Sequence, residues 1–207
     1  MMAINPPVYN PMSESFRLAR HEDNGVGIQY HIATPPNLEL KGTQSAIQSQ
    51  AEKFLGDLGA GSFLSEPPNE NWNERHVTIA PELLHTLSRQ AGLQTNVPGN
   101  LICATVLNAL RVRAGLRPLG SPSSFVPAIK EDLTTHAARV SVAEARVGDV
   151  ALTDVHAGIV VQLSDGTKRV LAFTGDGQGK ARAQLIPLEF GWTLYHVRAD
   201  DRARTIR

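Results

Sequence analysis

One cysteine near the middle of the chain has the position of a nucleophile. Cys103 lies in the segment LICATVLNALRVRAG, whose apolar residues recur at helical spacing after the turn Pro98-Gly99-Asn100. With Asn100 as the N-cap, Cys103 occupies the third helical position, where unpaired amides and the helix dipole favour thiolate over thiol. The same amides can stabilise an oxyanion, so the Cys103 backbone is a predicted oxyanion donor. Asn100 is either the cap alone or a second donor.

His156 is the predicted proton acceptor for this thiol. It stands at the start of VHAGIVVQL, which has the pattern of a strand, and the small Ala157 and Gly158 would let a substrate or another backbone approach. Each residue also has a purely structural interpretation. A lone cysteine on an apolar helix face is often a buried hydrophobe, and a strand-end histidine is often satisfied by solvent. Their positions at two element starts favour a nucleophile and a base.

The order of these parts resembles a family: the NlpC-type and CHAP (cysteine, histidine-dependent amidohydrolase/peptidase) domains of the papain-like cysteine hydrolase superfamily. Cys103 looks like the nucleophile that opens the family's helix, VGDVAL looks like its Gly-Asp strand, and HAGIVV looks like its histidine strand. The resemblance covers roughly Asn96 to Arg198. It implies that Cys103 attacks an amide carbonyl with His156 as general base, commonly in a peptide of peptidoglycan.

The third residue, which would orient the imidazole, departs from the family's pattern. The strand after the histidine strand, RVLAFTGDGQG, has Phe173 and Thr174 where His, Asn or Glu would be expected. Asp176 follows in a glycine-flanked turn, and a carboxylate can hold an imidazole in the required tautomer. Asp176, Thr174 and a backbone carbonyl therefore compete for this role. Asp149 is expected to serve the turn and the strand entry rather than catalysis.

The elements around these residues predict an α+β fold with helices followed by antiparallel strands. Helices are expected at SAIQSQAEKFLGDLG, APELLHTLSRQAG, the Cys103 segment and FVPAIKEDLTTHAA; strands are expected at VGIQYHI, RVSVAEARVGDVALTD, VHAGIVVQL, KRVLAFTG and WTLYHVRA. Ser-Asp-Gly at 164–166 predicts a hairpin. The polar stretch SEPPNENWNE predicts a boundary between an N-terminal arm and helical extension, 1–75, and a papain-like domain, 76–200.

Composition restricts the function classes. The chain has 207 residues with 20 Lys plus Arg and 20 Asp plus Glu. It therefore has no excess of positive charge that would favour binding of nucleic acid. With one cysteine, and with His76, His85, His136 and His196 lacking metal-ligand spacing, we expect no disulfide, metal or cofactor. Trp192 and Tyr195 are expected to fill the core. Without a signal peptide or membrane span, we expect cytoplasmic synthesis and no membrane insertion.

The sequence therefore predicts a thiol hydrolase of an amide bond in peptidoglycan or a peptide, such as a phage-type lysin or a toxin exported by a specialised secretion system. A delivery, immunity or chaperone protein is then an expected partner. Two alternatives stay open. One is a protease or deamidase effector that acts on a protein. The other is a catalytically inactive papain-like module that only binds, which the missing third residue favours.

Overall fold

The structure, a computed structural model, describes residues 17–23, 28–33, 36–68, 72–93, 102–121, 125–175 and 180–196. The chain forms two compact units, Met1–Gly42 and Thr43–Arg207. The sequence predicts a boundary near residue 75 instead. Residues after Gly42 belong to the second unit because Ile47, Phe54 and Phe63 lie in its core.

The first unit contains an antiparallel hairpin of β1 (Arg17–Asp23) and β2 (Ile28–Ala33), with a register shift between Leu18 and Arg20. The strand predicted around VGIQYHI corresponds to β2. No strand is predicted at β1, because RLARHED lacks alternating apolar residues.

The helices are α1 (Pro36–Asp57), α2 (Pro81–Gln90), α3 (Ile102–Arg113) and α4 (Val126–His136). Each corresponds to a predicted helix. The first begins well before the predicted Ser45, since a proline is compatible with the opening turn of a helix. Gly92 and Gly115 follow α2 and α3 with φ of 64° and 80°, a left-handed conformation that terminates helices.

The second unit contains a seven-stranded sheet with the order β3-β8-β7-β6-β5-β9-β4, in which the six neighbouring pairs are antiparallel. Its strands are β3 (Asn73–Thr78), β4 (Arg139–Val140), β5 (Val150–Leu152), β6 (Ala157–Gln162), β7 (Lys168–Gly175), β8 (Lys180–Pro187) and β9 (Thr193–Tyr195). The fold is α+β, as predicted. The hairpin predicted at 164–166 joins β6 to β7.

The two faces of the sheet bury different clusters. Side chains of one face pack with the helices in a large core that includes Leu152, Ala157 and Phe173. The alternate positions on the strands form a smaller cluster with Ala151, Val160 and other residues, against which Trp192 packs. This alternation follows from the two-residue period of a strand.

Gly158 is required by close packing between β6 and β7. A Cβ at this position would lie 2.4 Å from Val170 Cγ1 and 2.9 Å from the Leu171 carbonyl oxygen. The space beside Gly158 is therefore occupied by β7, so that of the two approaches that the sequence allows, a substrate or another backbone, the structure shows the backbone.

None of the helices in the described ranges is long and apolar enough to cross a membrane.

Candidate active site

Cys103 lies in the first turn of α3, at the end that the sequence predicts. Three backbone N–H groups lower the pKa of its thiol, those of Ala157, Ala104 and Cys103 itself. Two of these amides belong to the start of the helix, where no intrahelical acceptor is available to them. The third belongs to the first residue of β6. The start of α3 and the start of β6 therefore both act on the thiol.

Burial has the larger effect on the thiol. The pKa of Cys103 is raised above its usual value because burial disfavours the thiolate, and the three amides lower it by less. Cys103 is 5% exposed. The expectation of a depressed pKa from helix-end placement is therefore wrong for the free protein. The helix-end amides are present, but α3 packs its first turn into the core.

His156 is held by a tight turn between β5 and β6. Its backbone N–H donates to Thr153 Oγ1 over 3.0 Å, and its carbonyl accepts from the Thr153 N–H over 2.9 Å. The next residue, Ala157, pairs with Leu152 across the two strands. These contacts fix the backbone of the predicted base next to the residue whose amide reaches Cys103.

The imidazole of His156 lies beside the indole of Trp192, with ring centroids 6.0 Å apart and planes inclined by 31°. Among the described residues, neither His156 Nε2 nor Trp192 Nε1 has a hydrogen-bond partner, although both atoms are buried. Burial lowers the pKa of His156, so the neutral imidazole is favoured. Trp192 was expected only to fill the core, and its contact with His156 is a feature that the sequence did not reveal.

The two predicted catalytic side chains share no hydrogen bond in the described part of the chain. The Ala157 N–H lowers the pKa of the Cys103 thiol, and the ring of the preceding residue, His156, packs beside Trp192. Catalytic hydrogen bonds are commonly long or poorly aligned before substrate binds. The predicted base and an N–H group that acts on the predicted nucleophile therefore belong to consecutive residues at the start of β6.

The third residue is not supplied by Thr174 in the free protein. Thr174 Oγ1 donates to Gln184 Oε1 over 3.0 Å, and Gln184 Nε2 donates to Glu74 Oε2 over 3.1 Å. The hydroxyl thus belongs to a polar chain across β7, β8 and β3. Asp176 and Asn100 lie outside the described residues.

Asp149 has the structural role that the sequence predicts. Gly148 before it has φ of 90°, and Asp149 Oδ2 accepts the Arg146 N–H over 2.8 Å. The same oxygen lies 2.9 Å from His196 Nδ1, and this contact, between side chains beyond the ends of β5 and β9, was not predicted. This pair lies at the opposite end of β5 from the Thr153–His156 turn.

Within the described ranges, no group of three or more His, Cys, Asp or Glu side chains is arranged to hold a metal ion.

Searches against family models, curated proteins and solved structures gave no match for this chain.

Proposed function

We propose that this chain is a papain-like cysteine hydrolase of the NlpC/CHAP type that cleaves an amide bond in a peptidoglycan peptide. The observation that carries the proposal is the meeting of the Cys103 thiol with the start of α3 and with the Ala157 amide, next to His156. The peptidoglycan substrate rests on the resemblance of the sequence alone.

The first step is attack on the amide carbonyl by the sulfur of Cys103. The raised pKa of Cys103 and the lowered pKa of His156 both disfavour a preformed thiolate–imidazolium pair. We therefore assign general-base catalysis, in which the S–H proton moves to the imidazole as the S–C bond forms. This transfer requires the imidazole to move from its packing beside Trp192 into reach of Sγ.

The carbonyl oxygen becomes an oxyanion in this step. The amides of Cys103 and Ala104 at the start of α3 would stabilise it, since they favour negative charge on the neighbouring sulfur and have no helical acceptor. The imidazolium then donates its proton to the leaving nitrogen as the C–N bond breaks. Water activated by the neutral imidazole hydrolyses the thioester and restores the thiol.

The decisive experiment is digestion of purified peptidoglycan with the full chain, followed by mass spectrometry of the released fragments. The proposal predicts new amine and carboxylate ends at one peptide bond, and their loss in Cys103→Ala. A fragment pattern that is unchanged by Cys103→Ala would contradict the assignment of the nucleophile. If the wild type does not cleave peptidoglycan, peptidoglycan is not its substrate. A panel of protein substrates would then test the protease or deamidase alternative.

A non-catalytic module is a second candidate, and a specific observation favours it. Cys103 is buried, its pKa is raised, and no hydrogen bond in the described part of the chain joins it to the imidazole. Under this alternative the thiol only fills the core. Trapping with a peptide aldehyde, which forms a hemithioacetal only with an accessible nucleophilic thiol, separates the two: an adduct at Cys103 supports the hydrolase, and its absence supports the module.

A further inference from the structure

A small polar pocket opens next to the turn that carries His156. It has a volume of about 190 Å³ and is lined by Lys130, Leu152, Thr153, Asp154, Thr193 and Tyr195 among others. At about 30 Å³ for each water molecule, this space corresponds to about six waters, or one amino-acid-sized group. The pocket is thus too small for a whole peptide and suited to one residue of it.

Charges of both signs lie at the pocket. Lys130 Nζ, on α4, lies 2.8 Å from Asp154 Oδ1 in the β5–β6 turn. The two side chains are 53% and 88% exposed, so their ion pair is in contact with solvent and contributes little to stability. A ligand that brings its own carboxylate and ammonium can therefore replace this pair at small cost.

The pocket lies beside the turn that precedes β6. Its wall residue Leu152 pairs with Ala157, the first residue of that strand. Another wall residue, Thr153, accepts the His156 backbone N–H. Directly paired residues of antiparallel strands have Cβ atoms about 5 Å apart. The pocket wall at Leu152 is thus one strand spacing from the residue that follows the predicted base.

From this juxtaposition we propose that the pocket is a substrate subsite for a zwitterionic amino-acid head, an ammonium and a carboxylate on one carbon. Lys130 binds the carboxylate, Asp154 binds the ammonium, and the hydroxyls of Thr193 and Tyr195 border the remaining space. This inference rests on the proposed function, because it assigns the substrate group that is held beside the scissile amide.

Binding of Nε-acetyl-lysine tests this subsite without turnover. The molecule has a free α-amino-carboxylate head and an amide on its side chain. Nα,Nε-diacetyl-lysine and Nε-acetyl-lysinamide are its anionic and cationic controls. Each is titrated into the full-length Cys103→Ala chain, and backbone amide shifts are followed by NMR. We expect Thr153, Asp154 and Thr193 to shift with the zwitterion, at a Kd of about 1 mM, which is ordinary for a ligand of about 13 heavy atoms.

Variants identify the charges that matter. Lys130→Met and Asp154→Asn should each weaken binding of the zwitterion by about tenfold, the effect of losing one charge-assisted hydrogen bond. Lys53→Met is the matched control, because Lys53 forms an exposed pair with Asp57 on α1 at 3.3 Å. This variant should bind like the parent.

The inference is overturned if the zwitterion causes no shift at about 20 mM, if a control molecule binds equally well, or if either pocket variant binds like the parent. Binding is measured in Cys103→Ala and hydrolysis in the wild type, so the two results are independent. Binding of the zwitterion without hydrolysis by the wild type would support the subsite and contradict the proposed function. Hydrolysis by the wild type without binding of the zwitterion would support the proposed function and contradict the subsite.

Discussion

The indole of Trp192 packs beside the imidazole of His156 at a centroid separation of 6.0 Å, with a buried ring nitrogen on each residue that lacks a partner among the described residues. In the free protein an aromatic ring, rather than a described polar side chain, therefore shields the predicted base. Water is excluded from Nε2, and this exclusion accounts for the lowered pKa of His156.

Trp192→Ala should move the pKa of His156 up toward its usual value of about 6.5, because water would then reach the ring. Trp192→Phe should leave it low, since a phenyl ring still excludes water. The imidazole proton shifts in an NMR pH titration measure both. If the hydrolase proposal holds, the acid limb of the pH–rate profile should move up in the alanine variant alone. Equal titration in both variants would contradict shielding by the ring.

Alkylation of Cys103 by iodoacetamide should be slow at pH 7 and should accelerate through a pH above the usual thiol range near 8.5, because burial raises its pKa. The chain has no other cysteine, so mass spectrometry reports this residue alone. The urea-unfolded chain supplies the reference thiol. Folded protein that reacts at pH 7 as fast as the unfolded chain, or faster, would show an activated thiolate instead.

Cys103→Ala should abolish hydrolysis while lowering the free energy of unfolding by about 1 kcal/mol, the typical effect of one substitution. Val106→Ala is the matched variant on α3, since Val106 is 1% exposed but bears no reactive group. It should cost about 2 kcal/mol and retain turnover. Urea denaturation and the peptidoglycan assay measure the two effects. Turnover that falls in proportion to stability in both variants would argue for a structural thiol.

Asp132 should make folding sensitive to acid. Burial opposes its ionisation, but the Arg117 guanidinium, at 2.8 Å from each carboxylate oxygen, and the Gly120 N–H outweigh this effect and hold its pKa below the usual range. The unfolded chain, with a pKa near 3.9, then binds the proton first, so stability present at neutral pH is lost as pH falls below about 4.

Asp132→Asn should therefore lower the free energy of unfolding by about 2 kcal/mol at pH 7, and by less at pH 3. Urea denaturation at the two pH values measures the difference. Asp57→Asn, at an exposed ion pair on α1, should change stability by less than about 0.5 kcal/mol. A pH-independent loss in Asp132→Asn would refute the role of its charge.

Helical periodicity and strand alternation were sufficient to predict α2, α3, α4 and the β6–β7 hairpin. They were insufficient for β3 and β8, the outermost pair at one side of the sheet. The sequence of β3, NERHVT, buries only Val77 of its side chains, and Pro67 and Pro68 before it suggest a linker. Such a strand is specified by its register with β8, a long-range pairing that no local pattern records.

The candidate site, like the fold, was predictable only where it depends on local sequence patterns. The start of a helix and the start of a strand predict Cys103 and His156 as a catalytic pair, and the structure places the two residues at the starts of α3 and β6. The direction of the thiol pKa was not predictable, because it depends on how deeply α3 packs against the sheet. The contacts of Trp192 with His156 and of Lys130 with Asp154 were not predictable either. Only the tertiary fold brings the residue before β9 and a residue of α4 to the turn between β5 and β6.

The central location of β5 and β6 has a consequence for how the surroundings of Cys103 are lost. Both strands are paired on two sides, whereas β3 and β4 are edges. In native-state hydrogen exchange, edges open at low free energy and central strands open only with global unfolding. Partial opening at either edge would thus leave the Cys103 environment intact. Exposure of the Cys103 thiol to an alkylating reagent in denaturant should then coincide with global unfolding instead of preceding it.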